Sequence, residues 1–112
     1  MKIIFSKTVL KDFKKICDEI DKFVGKLKND FDAYRLYLKR PYIKIKVKLC
    51  NKWLRIVARY DEKSDNLLIV LVYNKSDKQY WYNLTWDKVK NLIILKLRKI
   101  EKEIIAGDYF VF

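Results

Sequence analysis

From Ile43 to Leu49 lysine alternates with an aliphatic residue without interruption: Ile43-Lys44-Ile45-Lys46-Val47-Lys48-Leu49. A helix would scatter these lysines around its axis. A strand sends successive side chains to opposite faces, and so sorts the stretch into an apolar row and a cationic row. The next stretch, Trp53-Leu54-Arg55-Ile56-Val57-Ala58-Arg59-Tyr60, splits in the same way, with Leu54, Ile56, Ala58 and Tyr60 opposite Trp53, Arg55, Val57 and Arg59. A hairpin turning at Asn51-Lys52 would set Lys48 across from Arg55 and Lys44 across from Arg59. One face of such a sheet is core; the other is a cationic plate whose cross-strand repulsion opposes folding. A polyanionic partner is the simplest reason for a chain to carry it.

The total charge points the same way. The 112 residues hold 26 lysines and arginines against 14 acidic residues, a formal net charge of +12. That balance favours nucleic acid, an anionic membrane surface or an acidic protein as partner. Lysine far outnumbers arginine, and Ile, Asn and Tyr are abundant, as an AT-rich genome gives whatever the protein does, so the placement of the cations weighs more than their sum. The length suits one domain spanning 1–112, with a core that needs no staples. There is no histidine, which excludes Cys–His and Ser–His–Asp chemistry. Without a Cys-x-x-Cys pair no zinc site is expected from spacing and no cofactor is implied. Cys17 and Cys50 are expected to be reduced thiols acting as small hydrophobes. The amino-terminal apolar segment is too short for a signal peptide, and the longest apolar run, Leu67 to Tyr73, is far short of a membrane span. The expectation is a soluble cytoplasmic protein with no membrane partner.

In chain order, Ile3-Ile4-Phe5 reads as a short strand, and Ser6 or Thr8 can cap a helix whose apolar positions run through Val9, Phe13, Ile16, Ile20, Phe23, Leu27 and Phe31. Gly25 interrupts the pattern, which leaves one long helix or a break into two, 8–24 and 26–38; the helical hairpin is the preferred reading, closed by Pro41. Strands 42–49 and 53–60 follow, then a polar turn at 61–66. Leu67 to Tyr73 is apolar enough to be a central strand buried on both faces. Residues 75–78 form a loop. Thr85 opens a long amphipathic helix over 85–106, with Asp87 in its first turn and Gly107 at its end, and leaves an apolar tail at 108–112. That tail can be a docking strand for a partner or fold back on its own core. The order gives an α+β domain: an N-terminal strand and helical hairpin, an antiparallel sheet with helices packed on one face, and a long C-terminal helix.

Four stretches carry a resemblance. They are the opening Lys-Ile-Ile-Phe-Ser strand before a Lys-rich helical hairpin, the strand from Tyr42 to Lys48, the Leu54-Arg55-Ile-Val strand, and the apolar strand running into Tyr73-Asn-Lys-Ser-Asp-Lys78. Over approximately 2–85 the chain resembles the RelE/ParE superfamily of type II toxin–antitoxin toxins. In the RelE branch the resemblance implies a ribosome-dependent messenger-RNA endoribonuclease that inhibits translation. Such an enzyme attacks the phosphodiester with the ribose 2′-hydroxyl, needs no metal, and is held by a cognate acidic antitoxin in a hetero-oligomer. Strand matching implies catalytic roles for Lys46, Lys48, Arg55 and Tyr82, with Tyr80 as an alternative ring one pleat away. Lys44, Arg59, Lys75, Lys78, Trp53 and Tyr80 are the implied RNA-binding residues. Ser76 stands where RelE-type enzymes carry an arginine, so a neighbouring lysine must supply that cation or activity is weak. Close packing of cations favours a lowered pKa for Lys46 or Lys48, which suits a general base.

Bland readings stand beside these. The lysine row is also what a solvated face looks like in a lysine-biased chain, and Tyr80, Trp81, Tyr82 and Trp53 are as well suited to packing as to stacking on bases. Three function classes remain open: the RelE-like nuclease, a ParE-like gyrase-inhibiting toxin using the same fold without a nuclease site, and a non-enzymatic nucleic-acid-binding domain. The strand lysines favour the first over the second, and Ser76 the reverse.

Overall fold

The computed structural model describes residues 1–75 and 85–112. The chain opens on β1 (Lys2–Ser6), then α1 (Lys7–Ile16), α2 (Ile20–Asn29) and the single turn α3 (Phe31–Tyr34). Strands β2 (Leu36–Lys39), β3 (Tyr42–Leu49), β4 (Lys52–Asp61) and β5 (Asn66–Asn74) follow, and α4 (Trp86–Ile105) and β6 (Tyr109–Val111) complete the chain. One six-stranded sheet in the order β2-β3-β4-β5-β1-β6 holds these strands. Its pairs are antiparallel apart from β1, which runs parallel to β5. Among the described residues no helix is long and apolar enough to cross a membrane.

The helical hairpin breaks earlier than the glycine suggests. Ser6 caps α1 by accepting from the Val9 amide. The helix ends where Cys17 turns extended (φ −156°, ψ 135°), and Gly25 sits inside α2 with open space around it. This break swings Phe23 back onto Phe5 and Phe13, with ring centroids 6.2 and 5.2 Å away. Core formation therefore decides the turn, and one glycine in a helix costs only about 1 kcal/mol relative to alanine. Residues 36–38, expected as the end of a helix, belong instead to β2, which pairs with β3 through Leu36 opposite Lys44 and Tyr37 opposite Ile43. A cis Arg40–Pro41 bond joins the two strands.

The β3–β4 register also differs from the expectation. Cys50 and Asn51 hold φ values of 52° and 58°, the positive pair that a two-residue type I′ hairpin turn requires. The turn thus lies one residue earlier than Asn51-Lys52. Lys46, not Lys48, faces Arg55; Lys48 faces Trp53, Lys44 faces Val57 and Tyr42 faces Arg59. A two-residue shift in pairing preserves the sorting of faces, so Ile43, Ile45, Val47 and Leu49 remain buried.

The apolar row forms the floor of the core. Phe5 meets Phe13 at 5.8 Å, and Phe31 of α3 meets Tyr60 at 4.8 Å, which sets the N-terminal helices on this side. The long C-terminal helix crosses the opposite side. Trp86 stacks on Tyr42, which is in phase with the lysines, and Ile104 shares a cavity with Ile4, Leu68 and Arg59. Val57, Leu71 and Tyr73, in phase with Arg55, are correspondingly buried. The helices are thus divided between the two faces and not packed on one as expected, because the fully apolar β5, read from its sequence as buried on both faces, needs cover on both. At the margin α1 and α4 meet, where the Thr8 amide and hydroxyl donate to Glu103 at 3.1 and 3.0 Å and Asp12 pairs with Lys96 at 3.5 Å.

Two further expectations are resolved. Cys17 and Cys50, read as reduced thiols, are joined in a disulfide; their Cα atoms lie 5.9 Å apart, inside the range such a bond spans. The 33-residue separation hid this from any spacing rule. The tail folds back as β6, with Phe5 opposite Phe110, mutual amide–carbonyl bonds between Ile3 and Phe112, and the Phe112 ring 5.7 Å from Phe5.

Candidate nucleic-acid interface

With part of the lysine face under α4, the open remainder lies over β3 and the tip of the β3–β4 hairpin. Lys46 and Lys48 are exposed there, Lys44 and Arg55 half-buried, and Trp53 half-exposed at the rim. The Lys75 amide donates to the Trp53 carbonyl at 2.9 Å, which brings the start of the next segment to the same rim. A cleft of about 390 Å³ opens between Trp53, Lys75, Asn51, Lys52 and Asn74.

Lys46 is the electrostatic centre of this cluster. The Arg55 guanidinium opposite holds its amine below the ordinary lysine value, and partial burial, Lys44 and Lys75 add to the effect. Like charges and desolvation both disfavour the protonated form. Arg55 shows a complementary feature. Its Nη1 is shielded from solvent and has no hydrogen-bond partner among the described residues. A buried unsatisfied donor on a charged group is costly, and an anion at that point would satisfy it.

The sequence candidates fall into three sets. Lys44, Arg55 and Lys75 each act electrostatically on Lys46, and Lys48 and Trp53 form the adjoining cross-strand pair. Arg59 stands apart, lining a cavity of about 660 Å³ with Arg40, Tyr37, Ile4, Leu68 and Ile104. Lys78, Tyr80 and Tyr82, together with Ser76, lie outside the described residues. Sequence reasoning missed a further aromatic group on the same face: Tyr42 and Trp86, stacked at 5.3 Å, with the Lys39 ammonium 5.7 Å from the Trp86 ring. Tyr42 shares the lysine phase, which was a usable signal; nothing in the sequence joins it to Trp86.

A solved structure of the E. coli toxin RelE, a double arginine-to-alanine mutant in the free state, matches this chain with a TM-score of 0.51 at 16% sequence identity, covering 70% of this chain and 87% of that one. The fold is RelE-like. No protein-family model matches the sequence, and a comparison with curated proteins returns no match. Within the RelE-like frame, Lys46 and Arg55 occupy facing positions on neighbouring interior strands, so rigid ladders on both sides fix their separation.

Proposed function

We propose that this chain is the toxin of a type II toxin–antitoxin pair and acts as a ribosome-dependent endoribonuclease on messenger RNA. The observation that carries the reading is the facing Lys46–Arg55 pair, in which the arginine depresses the lysine and itself keeps a donor that no described residue satisfies. Cleavage by the 2′-hydroxyl needs a base for that hydroxyl and cations for the charge that develops on the phosphorane. Lys46 takes the proton. Arg55 directs Nη1 at a non-bridging oxygen, while Lys44, Lys48 and Lys75 hold the flanking phosphates. The attack forms a 2′,3′-cyclic phosphate and releases the 5′-oxygen, which a protonated neighbour must reprotonate. Tyr82 is the ring assigned to hold a base, with Tyr80 as the alternative and Lys78 and Trp53 as further RNA contacts.

The Ser76 substitution is met by Lys75, whose charge already acts on Lys46. The wider partners of this reading are the ribosome and a cognate acidic antitoxin, the latter suited by the chain's net charge of +12. Induced expression tests it: translation should stop, with transcripts cut inside codons and cleavage by purified protein on ribosomes persisting in EDTA. Intact transcripts in growth-arrested cells would instead support the ParE-like reading of gyrase inhibition. Unaffected growth would leave a non-enzymatic binding domain.

A further inference from the structure

One carboxylate borders both cysteines and a second borders Cys50, on a surface otherwise dominated by lysine. The Sγ atoms of Cys17 and Cys50 and a carboxylate oxygen of Glu19 all lie within 4.8 Å of one another, and Asp18 Oδ1 is 3.8 Å from Cys50 Sγ. The local backbone builds this cluster. The Glu19 amide donates to Cys17 Sγ at 3.4 Å, and the Cys50 amide donates to Glu19 Oε2 at 3.2 Å, which ties the α1–α2 junction to the β3–β4 turn. Cys17 is buried; Cys50 and Glu19 are half-buried, so an ion has a route in.

We propose that the reduced Cys17–Cys50 pair, with Glu19 as third ligand, is a binding site for a thiophilic divalent cation such as Zn²⁺. A dithiol reductant opens the disulfide to two thiols and is itself oxidised to its disulfide. The cation then displaces both thiol protons to solvent and forms two metal–sulfur bonds. Tetrahedral zinc–thiolate geometry separates the sulfurs by roughly 3.8 Å. Rotation about the two Cα–Cβ bonds supplies this, because the backbone is already at the right spacing, with Cα atoms 5.9 Å apart. Glu19 offers a carboxylate lone pair beyond its bonds to Lys22 and the Cys50 amide. Asp18 or water completes the fourth position.

Charge favours the loaded state. Two thiolates and a carboxylate around a divalent ion carry one net negative charge, and three ammonium groups surround it. Lys22 pairs with Glu19 at 3.1 Å, Lys52 donates to the Ile16 carbonyl at 3.0 Å and Lys26 to the Lys48 carbonyl at 3.3 Å. The same site therefore has two closed forms, a disulfide and a metal bridge, and either one fixes the hairpin tip that carries Lys48 and Trp53.

The test uses the full chain under anaerobic conditions. Reduced and oxidised protein are each equilibrated with zinc chloride, passed through a desalting column and assayed for zinc per chain. Reduced wild type should retain one zinc, oxidised wild type none and Cys50→Ser none, and Glu19→Gln should bind on the order of tenfold more weakly or worse. Circular dichroism checks that each sample is folded, and oxidised wild type serves as a folded, thiol-free control even where a serine variant fails. Absence of stoichiometric zinc on reduced wild type overturns the proposal, as does equal retention by the oxidised chain. Unchanged affinity in Glu19→Gln would overturn the ligand set.

Discussion

Lys46 and Arg55 face each other across β3 and β4 in direct register, and the lysine amine is depressed chiefly by the arginine. A like-charge pair at the middle of two paired strands opposes folding, since such pairs are destabilising when directly opposite. The neighbouring Ile45–Ile56 and Val47–Leu54 pairs, on the core side, hold the ladder against that repulsion.

Removing the arginine should return the lysine to ordinary behaviour. In Arg55→Ala the Lys46 amine, followed by NMR of labelled lysine, should titrate closer to 10.5 than in wild type, because the largest cause of its depression is gone. The sign is fixed: wild-type Lys46 loses its proton at lower pH than the variant does. An unchanged titration would mean that the two groups do not interact.

Arg55→Ala and Lys46→Ala should each lower the cleavage rate about 10²–10³-fold, the usual cost of losing one preorganised donor or base. Lys14→Ala and Lys99→Ala, on exposed helix faces, should leave it unchanged. Ribosome-bound transcript cleavage at matched protein concentration reads this. Equal losses in all four would point to net charge and away from a site.

The disulfide closes a long loop. In the presence of a chelator, oxidised wild type should resist urea more than Cys17→Ser by roughly 2–4 kcal/mol, with an entropy-based estimate near the top of that range. Equal midpoints would show that the bond adds no constraint on the unfolded chain.

Truncation after Gly107 removes β6 and with it the Phe112 ring against Phe5 and the bonds to Ile3. The shortened chain should lose stability or aggregate, since the edge of β1 is left unpaired. A soluble truncation of unchanged melting temperature would show that the tail contributes nothing to the sheet.

Much of this fold was legible in the chain. The lysine alternation fixed which residues of β3 and β4 face the core, since period-two sorting survives a register error. The apolar run at 67–73 announced a strand covered twice. What failed was decided by contacts distant in sequence. The position of Phe23 against Phe5 and Phe13 overrode the glycine as a helix break, and a positive-φ turn at Cys50–Asn51, lacking glycine, left no composition cue. The disulfide and the Tyr42–Trp86 stack both join segments that only the folded sheet brings together. For the site, the cationic row was visible; its centring on Lys46, with Arg59 apart, required the register and the path of α4.

The placement of β1 between β5 and β6 has a temporal side. Its register partners are residues 66–68 on one flank and 109–111 on the other. During synthesis β3, β4 and β5 can zip together as successive hairpins of low sequence separation, while the first strand has no outer neighbour until residues 109–112 have cleared the ribosome. Contacts of such long range are the slow ones to form. The lysine-bearing ladder would thus be assembled before the sheet is closed, and Phe5 would be the side chain that waits longest for its full set of neighbours.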